Sequence, residues 1–118
     1  MSTDQITILH NPRCSKSRQT LSLLQDAGIT PRVIEYLDHP PTVDELETLA
    51  HQLGLEPREF IRSKETAYAS LDPPGPERSG RQLLEAMAAD PILIERPIVV
   101  RGDRAILGRP PENVHHLL

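Results

Sequence analysis

Cys14 is the only cysteine of the 118-residue chain, and its surroundings are cationic. Arg13, Lys16 and Arg18 flank it, and no Asp or Glu occurs in residues 5–25. Positive charge and the N–H groups at a helix start both lower the pKa of a thiol, commonly from about 8.5 to between about 3.5 and 7.5. Cysteine is otherwise often an inert, buried small hydrophobe. The polar neighbours of Cys14 favour a reactive thiolate.

A single cysteine limits the chemistry that the chain can perform alone. No internal disulfide is possible, so a redox reaction at Cys14 must be completed by a thiol of another molecule. A phosphatase-type anion loop needs an arginine six positions after its cysteine, and Thr20 stands there. The histidines outside this segment lack the spacing of metal ligands, so we expect no metal site and exposed side chains at His39, His51, His115 and His116.

Composition and charge narrow the class of protein further. The length suits one domain over residues 1–118. A net charge of −4 and an aromatic content of 3% argue against a nucleic-acid partner. There is no apolar run long enough for a membrane span and no signal peptide. We therefore expect a cytoplasmic protein that contacts no membrane. A monomer is expected as well, although no sequence pattern indicates the oligomeric state.

The elements around Cys14 predict a βαβ unit. Apolar residues favour a strand over Ile6–Leu9, and the following pattern predicts a helix over Ser15–Ala27 that ends at Gly28. Its inward face is expected to carry Leu21, Leu24 and Ala27. A second strand is predicted over Arg32–Tyr36, parallel to the first because a helix connects them. Cys14 then lies where the first strand passes into the helix.

Capping signals predict a helical middle. Thr42 with Glu45 and Ser79 with Gln82 form capping boxes, each before an apolar helical pattern. A shorter helix is predicted from Pro57, with Phe60 and Ile61 facing inward. The stretch Thr66–Pro76 is predicted to be an irregular surface loop, and Ile92–Ile94 suits either a strand or a helical turn.

The carboxyl-terminal segment predicts a hairpin and a closing helix. Strands are expected over Ile98–Val100 and Ala105–Leu107, separated by Gly102-Asp103. The helix would begin at Pro110-Pro111-Glu112 and pack Val114, Leu117 and Leu118 on the sheet. The order is β-α-β, a helical insertion, then β-β-α. This order predicts an α/β thioredoxin-like core with a mixed four-stranded sheet.

Three motifs carry a resemblance to the glutaredoxin-linked arsenate reductase family over nearly the whole chain. They are His10-Asn11-Pro12-Arg13-Cys14-Ser15-Lys16-Ser17-Arg18-Gln19-Thr20-Leu21, Glu95-Arg96-Pro97-Ile98-Val99-Val100 and Gly108-Arg109-Pro110-Pro111. The Cys-Ser-Lys-Ser element is similar to that of a bacterial subgroup of this family. The three motifs together are more specific than any one of them.

The resemblance implies a set of site residues. Cys14 falls on the catalytic cysteine, His10 on the histidine near the thiol, and Pro97 on a cis proline that faces the thiol. The implied site is completed by catalytic Ser17 and by substrate-binding residues, which are Asn11, Arg62, Arg96 and Arg109. Independently of the family, arginine forks offer planar bidentate pairs to a tetrahedral oxyanion.

The resemblance also implies a reaction and its partners. Arsenate, or a similar oxyanion, would be attacked by Cys14, and the arsenic would be reduced with glutathione as co-substrate and glutaredoxin as protein partner. No bound cofactor is expected. The absence of a second cysteine fits this route and opposes a thioredoxin-linked type with its own cysteine relay.

Two other functions remain open from the sequence. Spx-type transcription regulators share the fold and the Arg-Pro-Ile element and act by contact with RNA polymerase. Many carry a Cys-x-x-Cys switch, which this chain lacks because Ser17 takes the second position. A monothiol oxidoreductase acting on glutathione mixed disulfides also suits Cys-x-x-Ser, although it would not need the three arginines.

Overall fold

A computed structural model describes residues 5–118. The described chain divides into two compact units: one joins residues 5–39 with Arg96–Leu118, and the other is Pro40–Glu95. The assignment of residues 1–118 to a single domain stays a prediction. The predicted Cys14 motif lies in the first unit.

The first unit is built on a mixed four-stranded sheet, as predicted. Its strands are β1 (Ile6–His10), β2 (Arg32–Glu35), β3 (Ile98–Arg101) and β4 (Arg104–Leu107), in the order β2-β1-β3-β4. β1 pairs in parallel with β2, whereas the pairs β1–β3 and β3–β4 are antiparallel. The parallel pair requires a crossover, which helix α1 (Ser15–Asp26) supplies. β1 lies between β2 and β3, and the chain passes from the carboxyl end of β1 directly into the cysteine turn.

Helix α1 packs on this sheet through a narrow face. Ser17, Thr20 and Leu24 are buried, and Leu24 joins the core formed by residues of β1, β3 and the carboxyl-terminal segment. Leu21 is partly buried as predicted, but the inward assignment of Ala27 is wrong because Ala27 is exposed. The helix has already ended there, since Ala27 is the C-cap and Gly28 takes a φ of +81°.

The predicted closing helix is a 3₁₀ helix, Pro111–Leu117. A 3₁₀ helix repeats every three residues, so one face carries Pro111, Val114 and Leu117, all of which are buried. Leu118 falls off this face and is 46% exposed, so its predicted packing is wrong. The predicted β-β-α order treats this segment as an α-helix, whereas its buried residues follow a period of three.

The second unit is helical, and both predicted capping boxes are present. Its helices are α2 (Val43–Leu53), α3 (Pro57–Phe60), α4 (Thr66–Ala69) and α5 (Gly80–Ala89). Thr42 caps α2 and Ser79 caps α5, each reciprocally with the residue three positions on. Phe60 and Ile61 are buried as predicted.

The stretch predicted to be irregular is partly ordered. It contains α4 and the start of a 3₁₀ turn, Gly75–Glu77. Gly75 lies against the ring of Tyr68, leaving no room for a Cβ atom. The prediction of a wholly irregular stretch is therefore wrong, since composition does not reveal the contact between Gly75 and Tyr68.

The ambiguous segment before β3 is a 3₁₀ turn followed by a single bridge. The turn is Pro91–Leu93, and Ile94 then pairs antiparallel with Ile61. Leu93 and Ile94 are buried, so apolar packing accompanies the bridge. The bridge aligns residues 60–62 with residues 93–95 inside the second unit.

Candidate active site

Cys14 is the N-cap of α1 and is half-buried. Its extended backbone, with φ −95° and ψ 123°, is typical of a residue that ends a turn and begins a helix. The N–H of Cys14 donates to the carbonyl oxygen of Asn11 at 3.0 Å, and the carbonyl oxygen of Cys14 accepts from Arg18 N–H at 3.0 Å. The turn and the first helical bond together fix the cysteine at the helix start.

The pKa of the Cys14 thiol is lowered from its ordinary value. Burial raises it, but the backbone N–H of Ser17, the guanidinium of Arg96 and the backbone N–H of Lys16 together lower it by more. Arg96 contributes both a hydrogen bond and its charge. The predicted helix-start environment is therefore present, and Arg96 acts directly on the sulfur.

His10, Asn11 and Ser17 form a buried network beside the cysteine turn. Ser17 Oγ accepts from the N–H of Asn11 at 3.0 Å and lies 2.6 Å from Nδ1 of His10. Because Ser17 already accepts that backbone bond, its own hydroxyl proton is available to an unprotonated Nδ1. The network ties the end of β1 to the first turn of α1.

The pKa of His10 is lowered from its ordinary value of 6.5. Burial is the largest cause, the charge of Arg18 lowers it further, and the charge of Glu35 opposes both. At neutral pH His10 is therefore an uncharged imidazole. The cation that favours the thiolate is therefore Arg96 rather than a His10 imidazolium.

Asn11 shapes the turn that presents the cysteine. Its side-chain oxygen accepts from the N–H of Arg13 at 3.0 Å, and the residue is buried. Arg18 adds a second constraint, because its Nη1 donates to the carbonyl oxygen of Pro12 at 2.9 Å. Asn11 was predicted to bind substrate; the contacts described give it a part in holding the loop, and substrate binding stays a prediction.

Arg96, Pro97 and Arg109 come together at the start of β3. The Arg96–Pro97 peptide bond is cis, as expected from the resemblance. Arg109 Nη1 donates to the carbonyl oxygen of Arg96 at 3.4 Å, and Arg109 is exposed. Two of the three predicted arginines are thus adjacent, and one of them contacts Cys14.

Arg62 lies in the second unit, where two carboxylates pair with it. Its Nη1 donates to Oε1 of Glu95 at 2.7 Å, and its Nε lies 3.8 Å from Oε1 of Glu65. Its backbone N–H donates to the carbonyl oxygen of Leu93 at 2.7 Å. Arg62 is therefore held by both its backbone and its side chain.

Thr20 and Gly108 were not singled out by the sequence, although both support the site. A Cβ atom at Gly108 would lie 2.6 Å from Pro97 Cγ and 2.6 Å from Thr20 Oγ1, so this close approach requires glycine. The N–H of Gly108 donates to the carbonyl oxygen of Pro97 at 2.9 Å. The sequence does contain a signal for Gly108, because the third motif places a glycine directly before Arg109.

Residues 5–118 contain neither a cluster of metal-ligating side chains nor a helix that could cross a membrane. Within residues 5–118 no three His, Cys, Asp or Glu side chains are grouped as metal ligands. Over the same residues every helix is too short or too polar to cross a membrane. His39, His51, His115 and His116 are exposed, as predicted.

The sheet order and the cysteine of lowered pKa at the first helix define a thioredoxin-like protein with an activated thiol. The chain belongs to the ArsC family, which matches residues 9–117. The arsenate reductase of Neisseria meningitidis serogroup A is 45% identical over 115 residues, covering 97% of this chain and 98% of that protein. The arsenate reductase of Haemophilus influenzae is 44% identical over 114 residues, covering 96% and 98%.

A solved structure supports the same fold. The arsenate reductase from Vibrio cholerae superposes with a TM-score of 0.93 at 49% identity, covering 99% of this chain and all of that one. The predicted thioredoxin-like fold and the resemblance to the arsenate reductase family are confirmed. The glutaredoxin-linked type and the subgroup with Cys-Ser-Lys-Ser stay predictions.

Proposed function

We propose that the protein reduces arsenate to arsenite, with Cys14 as the nucleophile. One observation carries this proposal: Cys14 is the N-cap of α1, and the guanidinium of Arg96 lies against its thiol, where a cation can draw in an oxyanion. Membership of the ArsC family and the arsenate reductases among its relatives support arsenate as the substrate. A location in the cytoplasm belongs to the same proposal.

The first step joins the sulfur to arsenic. The Cys14 thiolate attacks arsenate, an S–As bond forms, and one arsenate oxygen takes up protons and leaves as water, while arsenic keeps its +5 state. A thiolate and an oxyanion repel each other, so cations are needed to bring them together and to stabilise charge on the oxygens. We assign this work to Arg96, Arg109 and Arg62.

Reduction then uses thiols from outside the protein. Glutathione displaces a second oxygen as water, so that arsenic carries two sulfurs. Glutaredoxin attacks the glutathione sulfur and forms a mixed disulfide, and the electron pair of the broken S–As bond reduces arsenic to +3. Hydrolysis of the remaining S–As bond releases arsenite and Cys14. The single cysteine of the chain supports external donors.

His10 and Ser17 are proposed to stabilise the Cys14 thiolate and the helix turn that holds it. Ser17 contributes its backbone N–H to the thiolate, while its hydroxyl engages Nδ1 of His10. Because His10 is uncharged at neutral pH, its part is to orient Ser17, and hence the first turn of α1, rather than to supply positive charge. Asn11 is proposed to bind the oxyanion in addition to stabilising the cysteine turn through its side-chain oxygen.

A coupled assay tests the function. The purified protein is mixed with arsenate, glutathione, glutaredoxin, glutathione reductase and NADPH, and NADPH oxidation is followed. We expect oxidation that depends on arsenate and stops when glutaredoxin is left out. Absence of arsenate-dependent oxidation contradicts the proposal.

The activated thiol and the Cys-x-x-Ser sequence also suit a monothiol oxidoreductase. The same assay separates this function, with the mixed disulfide of glutathione and 2-mercaptoethanol in place of arsenate. Turnover of the disulfide without turnover of arsenate identifies the oxidoreductase.

A further inference from the structure

The ion pair between Arg62 and Glu95 is built into the second unit rather than formed by two loose surface side chains. Arg62 Nη1 and Glu95 Oε1 are 2.7 Å apart, and the two side chains are only 21% and 25% exposed. A charge-assisted hydrogen bond of this length is among the stronger polar contacts in proteins. The position of the Arg62 guanidinium relative to the Glu95 carboxylate is therefore well defined.

The backbone places the two side chains as neighbours. The antiparallel bridge between Ile61 and Ile94 is flanked by two hydrogen bonds, from Arg62 N–H to the Leu93 carbonyl and from Glu95 N–H to the Phe60 carbonyl. In this register Arg62 and Glu95 are diagonal partners, which long side chains can span. The pairing therefore follows from the bridge.

Glu95 occupies only one end of the guanidinium. Nε of Arg62 is buried and makes no hydrogen bond with any residue in the part of the chain described. The carboxylate of Glu65 is 3.8 Å from Nε, an ion-pair distance that is too long for a hydrogen bond. Nε and Nη2 form the edge of arginine that binds two oxygens of one anion.

We propose that Glu95 is a positioning residue that holds Arg62 by Nη1 and so reserves its Nε–Nη2 edge for two oxygens of the substrate oxyanion. This inference rests on the proposed function, which makes Arg62 an oxyanion ligand. Glu95 immediately precedes Arg96 in the chain, so the same segment that carries one oxyanion-binding arginine fixes the orientation of another.

The opposite role is physically reasonable and makes the opposite prediction. A carboxylate that merely neutralised Arg62 would compete with the oxyanion, and its removal would tighten binding. A carboxylate that positions Arg62 orders this flexible side chain before the oxyanion binds. Removing that carboxylate therefore weakens oxyanion binding. The sign of the change in affinity separates the two roles.

The test measures arsenate binding by isothermal titration calorimetry in Cys14→Ser protein, in which the nucleophile is absent and no turnover follows. Adding Glu95→Ala is expected to raise the dissociation constant about tenfold, in line with the loss of a charge-assisted hydrogen bond. Glu85→Ala is the matched control, because it removes an exposed carboxylate from α5 of the same unit, and it should leave the constant unchanged.

A double-mutant cycle tests whether Glu95 acts through Arg62. In protein that also carries Arg62→Lys, which lacks the fork, Glu95→Ala should cause no further loss. Tighter or unchanged binding in the Glu95→Ala protein overturns the proposal, and so does a loss that persists in the Arg62→Lys background. If circular dichroism shows that Glu95→Ala is unfolded, Glu95→Gln replaces it, with an expected weakening of about threefold; unchanged affinity then overturns the proposal.

Failure of this inference and failure of the proposed function have different signatures. Wild-type turnover of arsenate with unaltered binding in the Glu95 variant overturns only the positioning role. The predicted binding pattern without wild-type turnover overturns only the reductase function. Cys14→Ser protein that binds no arsenate overturns the positioning role, because an oxyanion site is its premise.

Discussion

The starts of α1 and α2 use the same helix-end physics for different purposes. At α2 the Thr42 side chain accepts from Glu45 N–H, the Glu45 side chain accepts from Thr42 N–H, and the first turn carries Asp44 and Glu45. At α1 the N-cap is Cys14 and the first turn has no acidic residue. The α2 start satisfies its own donors and positive dipole end, whereas the α1 start directs them to a thiolate.

This difference shows how a reactive thiolate is maintained. An aspartate or glutamate in the first turn of α1 would stabilise the helix but compete with the sulfur for the same positive field. The chain instead places Lys16 and Arg18 there and brings Arg96 in from the start of β3. Local helix stability is given up so that a negative charge can reside on Cys14.

The largest expected effect comes from making the α1 start resemble the α2 start. Cys14→Ser replaces the nucleophile by a preferred N-cap residue whose hydroxyl is not ionised at neutral pH. Arsenate turnover in the coupled assay should fall by about a thousandfold or more. The free energy of unfolding, measured by urea titration, should stay within about 1 kcal/mol of the wild type or rise. Retained turnover would remove Cys14 as the nucleophile.

A smaller effect is expected from removing Arg96, the cation that stabilises the Cys14 thiolate at the start of α1. Arg96→Gln should raise the pKa of the Cys14 thiol, because it deletes both a charge and a hydrogen bond that favour the thiolate. The thiolate fraction grows as pH rises through the pKa, so the increase in iodoacetamide alkylation should move to higher pH. Alkylation at neutral pH should slow severalfold.

The control for this variant is Arg104→Gln. Arg104 is an exposed arginine of β4, and its Nη2 donates to the carbonyl oxygen of His116. Its removal changes the net charge by the same amount. An equal shift of the alkylation profile in both variants would show that overall charge, rather than contact with Arg96, sets the pKa.

Local signals predicted most of the fold. The capping boxes at Thr42 and Ser79, the turn at Gly102 and the proline before α3 are short-range features whose physics is complete within a few residues. The closing 3₁₀ helix was mistaken for an α-helix because its burial is decided by the sheet that it packs on, not by its own propensity.

The site was predictable only where a residue type carries its own chemistry. A lone cysteine among cations indicates a thiolate, and arginines within matched motifs indicate an oxyanion. The support that Gly108 gives Pro97 and the pairing of Arg62 with Glu95 depend on contacts between residues separated along the chain. No local pattern encodes these distances.

The smallest expected effect comes from damaging the α2 start while leaving α1 intact. Thr42→Ala removes the side-chain acceptor for Glu45 N–H at 3.1 Å and should lower the free energy of unfolding by about 1 kcal/mol in urea titrations followed by circular dichroism. Thr48→Ala, an exposed position inside the same helix, is the matched control and should change stability by less than about 0.5 kcal/mol. Because neither threonine contributes to the thiolate, arsenate turnover should match the wild type in both variants. A fall in turnover with Thr42→Ala, without loss of folded protein, would mean that the α2 start also serves the reaction and that the contrast with α1 is incomplete.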